Sequence, residues 1–169
     1  MNQPFLITTD EVKEFSFMDD NVQDSIVKVT LRRVQDHLLI GLIGSSLFDR
    51  LLAGVNADDL NANEIILLDN YIKQVLISGC DLRIINPLTY QTKNTGVQYQ
   101  TNGSVVTPSA ADKNDLIDEY QKYYDTYAQR LINYLRDKCA LFPEYNAEEC
   151  EWSSVKPSSV QETLGIRFL

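Results

Sequence analysis

Few side chains in this sequence are suited to catalysis, and histidine is the scarcest of them. His37 is the only histidine in the chain, which excludes every mechanism that needs two. It lies in a stretch with helical periodicity, where Val34 occupies the position three residues earlier that a glutamate holds in di-metal helical bundles. We therefore interpret His37 as a structural or surface residue.

Adjacent carboxylates form the next candidate group. They occur in three pairs: Asp19-Asp20, Asp58-Asp59 and Glu148-Glu149. A catalytic pair needs two carboxyl groups in environments that separate their pKa values. Adjacent acids in polar turns share bulk water instead, so we interpret the pairs as helix caps and solvated loops. A weak cation site at Asp58-Asp59 is the alternative.

The cysteines and the glycines also lack the spacing of a functional site. Three cysteines, Cys80, Cys139 and Cys150, are an odd number without a CxxC motif, which predicts free thiols and no zinc cluster. No phosphate-binding glycine loop, GxSxG motif or HExxH motif occurs. The sequence therefore predicts a protein that is not an enzyme, with no catalytic residue, no cofactor and no metal.

Length and charge narrow the class of protein further. A chain of 169 residues with 44% hydrophobic content fits one domain. No apolar run approaches the roughly 18 residues of a membrane span, and the start of the chain lacks a secretory signal, so we expect synthesis in a cytoplasm and no membrane partner. The formal charge of −9 disfavours sequence-specific binding to DNA phosphates.

The elements that position these side chains are predicted to be mainly helical. Thr8 and Glu11 have the spacing of a capping box for a short helix that ends near Phe15. Apolar residues from Val22 onward recur at steps of three and four, which predicts an amphipathic helix that ends near Gly41 or Gly44. Further helices are predicted from Ser45 to Gly54, from Asn63 to about Ile85 before Pro87, and from Ser109 or Asp112 to about Cys139.

Two segments depart from this helical pattern. Residues 88–108 contain strand formers and turn signals, which predicts an inserted β-hairpin that packs on the helices or pairs with another chain. Residues 140–169 have no helical period, which predicts an extended C-terminal tail after a helical bundle domain at 1–139. The apolar side chains of these segments are the candidate contacts with a neighbouring subunit or partner: Tyr90, Val97, Tyr99, Val105, Trp152, Ile166, Phe168 and Leu169.

Aromatic residues dominate one face of the last predicted helix. Tyr120, Tyr123, Tyr127 and Tyr134 step by three or four residues. A platform for stacking single-stranded bases is one reading of such a stripe. Basic residues do not cluster around it, and this spacing is typical of the face that a helix buries, so we predict that the stripe belongs to the core or to a subunit interface.

The order of these features resembles the head-tail connector, or adaptor, family of tailed bacteriophages, of the type found in crAss-like and other phages of Bacteroidetes. The segments that carry the resemblance are Phe5-Leu6-Ile7-Thr8-Thr9-Asp10-Glu11, Val34-Gln35-Asp36 to Leu42-Ile43-Gly44-Ser45-Ser46-Leu47-Phe48, Leu68-Asp69-Asn70-Tyr71-Ile72, Asn94-Thr95-Gly96-Val97, and Tyr127-Ala128-Gln129-Arg130-Leu131 through Tyr134-Leu135 to Phe142-Pro143-Glu144-Tyr145. No single segment is diagnostic, and the resemblance depends on their order.

The resemblance implies a mainly α fold, an adaptor-type helical bundle with the inserted hairpin and the extended tail. It implies a structural subunit of the virion neck that assembles in the host cytoplasm as a dodecameric ring beneath the portal protein. Such a ring extends the channel through which DNA passes transiently and without specific binding, and it presents a surface to the next neck or tail protein. A net acidic chain is suited to this role, since acids repel the phosphates of passing DNA.

Two other functions fit the same sequence. One is a different structural subunit of the neck or tail, such as a stopper or a tail-completion protein. The other is a regulatory module that captures a peptide or helix through the edge of the hairpin. The copy number in the virion distinguishes the structural functions from the regulatory one.

Overall fold

The computed structural model describes residues 4–93, 96–99 and 110–145, and this part of the chain is mainly α-helical, as predicted. Its α-helices are α1 (Thr9–Phe15), α2 (Asp24–Arg33), α3 (Ile40–Ile43), α4 (Ser45–Ala57), α5 (Ala62–Leu67), α6 (Lys73–Thr89) and α7 (Ala110–Asp137). π-helical turns at Val34–Leu39 and Leu68–Ile72 join α2 to α3 and α5 to α6. The 3-10 turns Cys139–Leu141 and Pro143–Tyr145 follow α7.

The first two helices begin and end where the local sequence predicts. Thr8 and Glu11 form the predicted capping box of α1, which ends at Phe15. The amphipathic stretch that starts with α2 ends at Gly44, whose φ of 80° and ψ of 159° lie in a region that only glycine occupies readily. Both signals depend on neighbours within a few residues, so they act before tertiary packing does.

Three predicted helix limits are wrong: two because packing outweighs the local signal, and one because a local capping box begins two residues earlier than the predicted cap. Helix α4 continues past Gly54 to Ala57, since Gly54 accommodates the side chain of Leu60 and the left-handed turn falls at Asp58. Asn61, rather than Asn63, caps α5 in a capping box with Glu64.

The third error concerns Pro87, which lies inside α6 rather than beyond its end. A proline so near the C-terminus removes a single hydrogen bond of the helix. The turns just before it are fixed by burial of Leu82 and Ile84 in the core. Packing of these side chains therefore outweighs the local preference against proline.

Helix α6 is the central element of the core. It packs against α7, α2, α1 and the first π-helical turn. The largest side chains that are completely buried come from almost every helix: Leu31, Leu39, Ile43, Leu47, Leu51, Leu67, Ile72, Leu76, Leu131, Ile132, Leu135 and Phe142. Phe142 and Tyr145, which lie after the predicted boundary at residue 139, are buried and belong to the helical domain.

Ion pairs connect successive helices around this core. Arg50 on α4 forms a two-pronged pair with buried Glu64 on α5, with Nε–Oε1 and Nη2–Oε2 distances of 2.8 and 2.9 Å. Lys13 on α1 pairs with Asp24 on α2 at 2.7 Å. Lys73 on α6 pairs with Glu11 of α1 at 2.8 Å. These pairs fix α1 against α2 and α6, and so set the position of the residues that follow α1.

Residues near the predicted hairpin insertion form two short strands, β1 (Tyr90–Lys93) and β2 (Gly96–Tyr99). Their backbones pair antiparallel, with Tyr90 opposite Tyr99 and Thr92 opposite Val97. Residues 94–95 and 100–108 of the predicted insertion lie outside the described residues, and so do residues 146–169 of the predicted tail. The inserted β-hairpin and the extended tail therefore stay predictions.

Candidate functional site

A cleft of about 240 Å³ opens where the end of α1 meets α6 and α7. Five aromatic side chains form its walls: Phe15, Phe17, Tyr120, Tyr123 and Tyr127. Three residues of α6, Ile77, Ser78 and Asp81, are buried and lie below them. The cleft is smaller than the roughly 300–1,000 Å³ of typical small-molecule sites, so its size suits a single side chain rather than a cofactor.

The aromatic walls are held together by stacking, yet they remain open to solvent. The ring of Phe17 lies parallel to that of Tyr120, with centroids 5.6 Å apart and an interplanar angle of 9°. It also contacts Tyr123 at 6.4 Å. Phe17 is nevertheless 73% exposed and Phe15 is 66% exposed. Large apolar side chains this exposed, grouped around a cleft, are typical of a binding surface.

The floor of the cleft carries a buried acid. The Asp81 side chain is only 6% exposed, and its Oδ1 accepts a hydrogen bond of 3.2 Å from the backbone N–H of Phe17. Burial raises the pKa of Asp81 from 3.8 to about 6, and the Phe17 hydrogen bond only partly offsets this. Among the described residues that line the cleft there is no lysine, arginine or histidine. At neutral pH the cleft therefore holds a buried negative charge with no basic side chain in its lining.

A second carboxylate lies beside the wall of the cleft. The hydroxyl of Tyr123 donates a hydrogen bond of 3.0 Å to Oε1 of Glu119, and this bond raises the pKa of Tyr123. Burial, and then the charge of Asp81, raise the pKa of Tyr120. Both tyrosines are therefore neutral near pH 7, and the formal charge at the cleft comes from the carboxylates.

Ser78, the hydroxyl nearest to this acid in sequence, is not arranged as a nucleophile. Its Oγ donates toward the backbone oxygens of Gln74 and Val75, at 2.8 and 3.2 Å. A catalytic serine needs a general base within hydrogen-bond reach. The contacts of Ser78 are those of a serine whose hydroxyl is hydrogen-bonded to the backbone of its own helix.

The predicted tyrosine stripe contributes to this cleft but is not the buried face of α7. Tyr120 and Tyr127 are half-buried, as is Tyr134, which stacks on Tyr71 with centroids 4.1 Å apart. Tyr123 is 43% exposed, which excludes the core for this residue and leaves the interface as a prediction. The face that α7 buries is displaced by one residue and consists of Tyr124, Ala128, Leu131, Ile132 and Leu135.

The displacement has a simple geometric cause. Apolar residues at steps of three and four describe two overlapping faces of α7, because Tyr123 and Tyr124 are adjacent in sequence. The sequence pattern alone does not decide which of the two faces the core. Contact with α6 selects the face with Ala128, whose small side chain permits close approach of the two helices.

The other predicted interface residues fall mostly outside the described part of the chain. Tyr90, Val97 and Tyr99 lie on the paired strands β1 and β2. Val105, Trp152, Ile166, Phe168 and Leu169 lie outside the described residues. Their contacts with a neighbour or partner therefore stay predictions.

Sequence reasoning missed Phe15, Phe17 and Asp81. The available signals were two aromatic residues that flank Ser16 at the end of a helix, and one acid within an otherwise apolar part of α6. Neither signal is specific. The aromatic pair indicates an exposed turn as readily as a wall, and the acid indicates a solvated position unless the fold is known.

A second cleft, of about 330 Å³, has the opposite charge. Arg33, His37 and Arg83 line it, together with Thr30, Leu38, Asn86 and Pro87. His37, Arg33 and Arg83 are all exposed, so of the two predicted roles of His37, structural or surface, the structure shows a surface position. Exposed charges in water interact weakly, so these basic residues by themselves do not indicate a binding site.

The described residues also bear on metal binding and on membrane spans. Within residues 4–93, 96–99 and 110–145, no group of three or more His, Cys, Asp or Glu side chains is placed to hold a metal ion. Cys80 is buried, which raises the pKa of its thiol, and Cys139 is exposed; both are free. In the same ranges, no helix has the length and apolarity needed to cross a membrane.

The fold and the cleft together define a mainly helical domain with an exposed aromatic cleft. By sequence the chain belongs to a family of unknown function, DUF6712, whose model matches residues 39–153. The match covers α4, α5, α6 and α7 and thus includes Asp81 and the tyrosines, whereas Phe15 and Phe17 precede it. No match was found among curated proteins or among solved structures.

Proposed function

We propose that this chain is a structural subunit of the head-tail connector of a tailed phage, without catalysis and without a cofactor. Copies of the chain form a ring, dodecameric by the resemblance, that docks beneath the portal protein and extends the DNA channel. The opposite side of the ring receives the next neck or tail protein. The chain is accordingly a component of the virion neck, assembled in the host cytoplasm.

The observation that carries the proposal is the amount of exposed apolar surface on a small domain. Phe15, Phe17 and Tyr123 expose one aromatic patch, while Ile65 and Ile66 on α5 expose 46% and 43% of their side chains. A ring is built from heterologous contacts, in which one patch of a subunit meets a different patch of its neighbour. Two separate apolar patches are what such a contact requires.

The predicted strands and tail supply the finer part of the proposal. An inserted hairpin at residues 88–108 extends from the adaptor-type bundle and pairs with a neighbouring chain through its edge. The tail from Cys150 onward docks on the portal or on an adjacent subunit, where its apolar residues are removed from water.

The net charge also suits a channel through which DNA slides. A chain of formal charge −9 repels phosphates on average, so DNA passes without being retained. The lysines and arginines described above are partly used in ion pairs between helices, which removes them from contact with DNA.

Electron microscopy of the full chain mixed with its cognate portal tests the proposal. We expect a ring of additional density on one face of the portal, and the chain should be present in purified virions at a copy number that matches the ring. Virions without the chain would refute the proposal. A few copies at another position in the neck or tail would favour the stopper or tail-completion function, and a monomer that captures peptides would favour the regulatory one.

A pair of exposed substitutions sharpens this test. Phe17→Ser removes a large side chain from the aromatic patch, whereas Val29→Ser alters an exposed residue of α2 that does not line the cleft. Both variants should fold, because neither side chain is buried. We expect the first to reduce ring formation on the portal and the second to leave it unchanged. Equal ring formation by both would show that the aromatic patch is not an interface.

A further inference from the structure

The aromatic cleft has the features of a site for one organic cation. Its walls are aromatic rings, and its floor carries the carboxylate of Asp81, which is buried without a basic residue among the described lining. Glu119, which accepts a hydrogen bond from the Tyr123 hydroxyl, adds a second negative charge beside the aromatic wall of the cleft. A cation that enters the cleft gains contacts with both kinds of group in a partly desolvated site.

Among organic cations, the guanidinium of arginine fits this arrangement best. It is planar, it stacks on aromatic rings and it donates two parallel hydrogen bonds to a carboxylate. The same chain already uses this contact: the guanidinium of Arg32 lies 4.5 Å from the ring centroid of Phe5, and that of Arg130 lies 5.9 Å from the ring centroid of Tyr127, a wall residue of the cleft. A small metal ion would leave the exposed parts of the Phe15 and Phe17 rings in water, whereas a planar organic cation can stack on aromatic rings.

The chain itself contains a segment of matching chemistry. Arg167 lies between Ile166 and Phe168, within an apolar stretch at residues 164–169. An arginine with apolar neighbours complements a buried acid that is surrounded by exposed aromatic rings. The 24 residues after Tyr145 can span up to about 80 Å when extended, which is ample to reach another subunit.

We propose that the aromatic cleft of one copy of the chain binds Arg167 of a second copy, with Ile166 and Phe168 packed against the exposed rings of Phe15 and Phe17. Asp81 then receives the guanidinium, and Tyr120 and Tyr123 stack beside it. The inference deepens the proposed function, since the ring is what brings the copies together. It names the contact that joins one subunit to the next.

Peptide binding tests the cleft in isolation from the virion. The receptor is the full chain with Arg167→Gln, in which its own segment no longer competes, and the probe is a fluorescent peptide of residues 160–169 with both ends capped. We expect saturable binding, followed as fluorescence anisotropy. A peptide with glutamine in place of the arginine should bind at least about tenfold more weakly, the loss typical of a charged contact.

Variants of the receptor locate the binding surface. Asp81→Asn keeps the acceptor for the Phe17 N–H and removes the charge, and Phe17→Ala removes an exposed ring, so both variants should fold. Each should lower the affinity for the peptide about tenfold. Val29→Ala, an exposed change outside the cleft, should have no effect. Equal binding of the two peptides, no binding at all, or no loss with Asp81→Asn and Phe17→Ala would overturn the proposal.

Sedimentation of the full chain decides which copy provides the segment. We expect the wild-type chain to self-associate with increasing concentration, Arg167→Gln to abolish this, and Lys156→Gln, a matched change in the same tail, to preserve it. A wild-type chain that remains monomeric while the receptor binds the peptide would assign the segment to its own chain and overturn the second-copy contact. Absence of the chain from virions would refute the connector function and leave the peptide result unaffected.

Discussion

Replacing Asp81 by asparagine is predicted to stabilise the isolated chain at neutral pH. The acid lies in the cleft at 6% exposure, and its hydrogen bond from the Phe17 N–H can be accepted equally well by an amide oxygen. The substitution therefore removes a buried charge and keeps the contact. Buried charges without a partner are costly, so the variant should be the more stable protein.

The size and the pH dependence follow from the raised pKa. Burial moves the pKa of Asp81 from 3.8 to about 6, a difference of about 2 units, and each unit corresponds to about 1.4 kcal/mol. The folded chain holds this proton more tightly than the unfolded chain. The free energy of unfolding therefore falls as the pH rises from about 4 to about 6, and the loss reaches at most about 3 kcal/mol above that range.

Urea unfolding followed by far-UV circular dichroism, at pH values from 4 to 8, measures this difference. We expect wild type and Asp81→Asn to be equally stable near pH 4, and the variant to exceed wild type by about 1–3 kcal/mol at pH 7. Asp118→Asn, which changes an exposed acid of α7, should shift the free energy of unfolding by less than about 0.5 kcal/mol. A variant that is less stable at pH 7, or a difference that does not change with pH, would refute this reasoning.

Three further predictions concern the fold. Gly44→Ala should lower the free energy of unfolding by about 1–3 kcal/mol, because alanine tolerates the positive φ poorly. Gly41→Ala, in open space on a helix, should be neutral or stabilising. Chemical denaturation should therefore rank Gly44→Ala as the less stable variant, and the reverse order would contradict this reasoning. Glu64→Gln removes the buried charge that pairs with Arg50, and it should lower the free energy of unfolding by about 1–3 kcal/mol in the same assay. An unchanged free energy would show that the ion pair adds no stability. Tyr124→Asp should unfold the domain and Tyr123→Asp should leave its helical circular dichroism intact, since only Tyr124 is buried; equal spectra would contradict the assignment of the buried face.

The stabilisation expected from Asp81→Asn also bears on the proposed contact. If Asp81 served the fold alone, its replacement would lower the free energy of unfolding or leave it unchanged. A substitution that stabilises the isolated chain while lowering its affinity for the peptide is typical of a residue whose role is binding. Together, the two measurements separate a structural role of Asp81 from a binding role.

The sequence by itself determined the features that depend on near neighbours. The capping box of Thr8 and Glu11, the end of the amphipathic stretch at Gly44 and the mainly helical class all follow from residues a few positions apart. These features are stabilised by local hydrogen bonds and backbone preferences, which can be read directly from the sequence. The same rules predicted a structural or surface role for His37, and the structure shows that it is exposed.

Only the tertiary structure decided between local alternatives of nearly equal strength. It allowed Pro87 inside α6, where burial of Leu82 and Ile84 outweighs the local signal that ends a helix, and it buried Tyr124 in place of Tyr123. In both cases packing against neighbouring helices made the choice.

The aromatic cleft depended entirely on tertiary structure. Its acid and the backbone that binds it, Asp81 and Phe17, are 64 residues apart in sequence, and Tyr120 lies on a third segment. No periodicity relates such residues, because their meeting depends on how α1, α6 and α7 pack. The sequence supplied an acid, two phenylalanines and a tyrosine stripe, and the packing of three helices turned them into one surface.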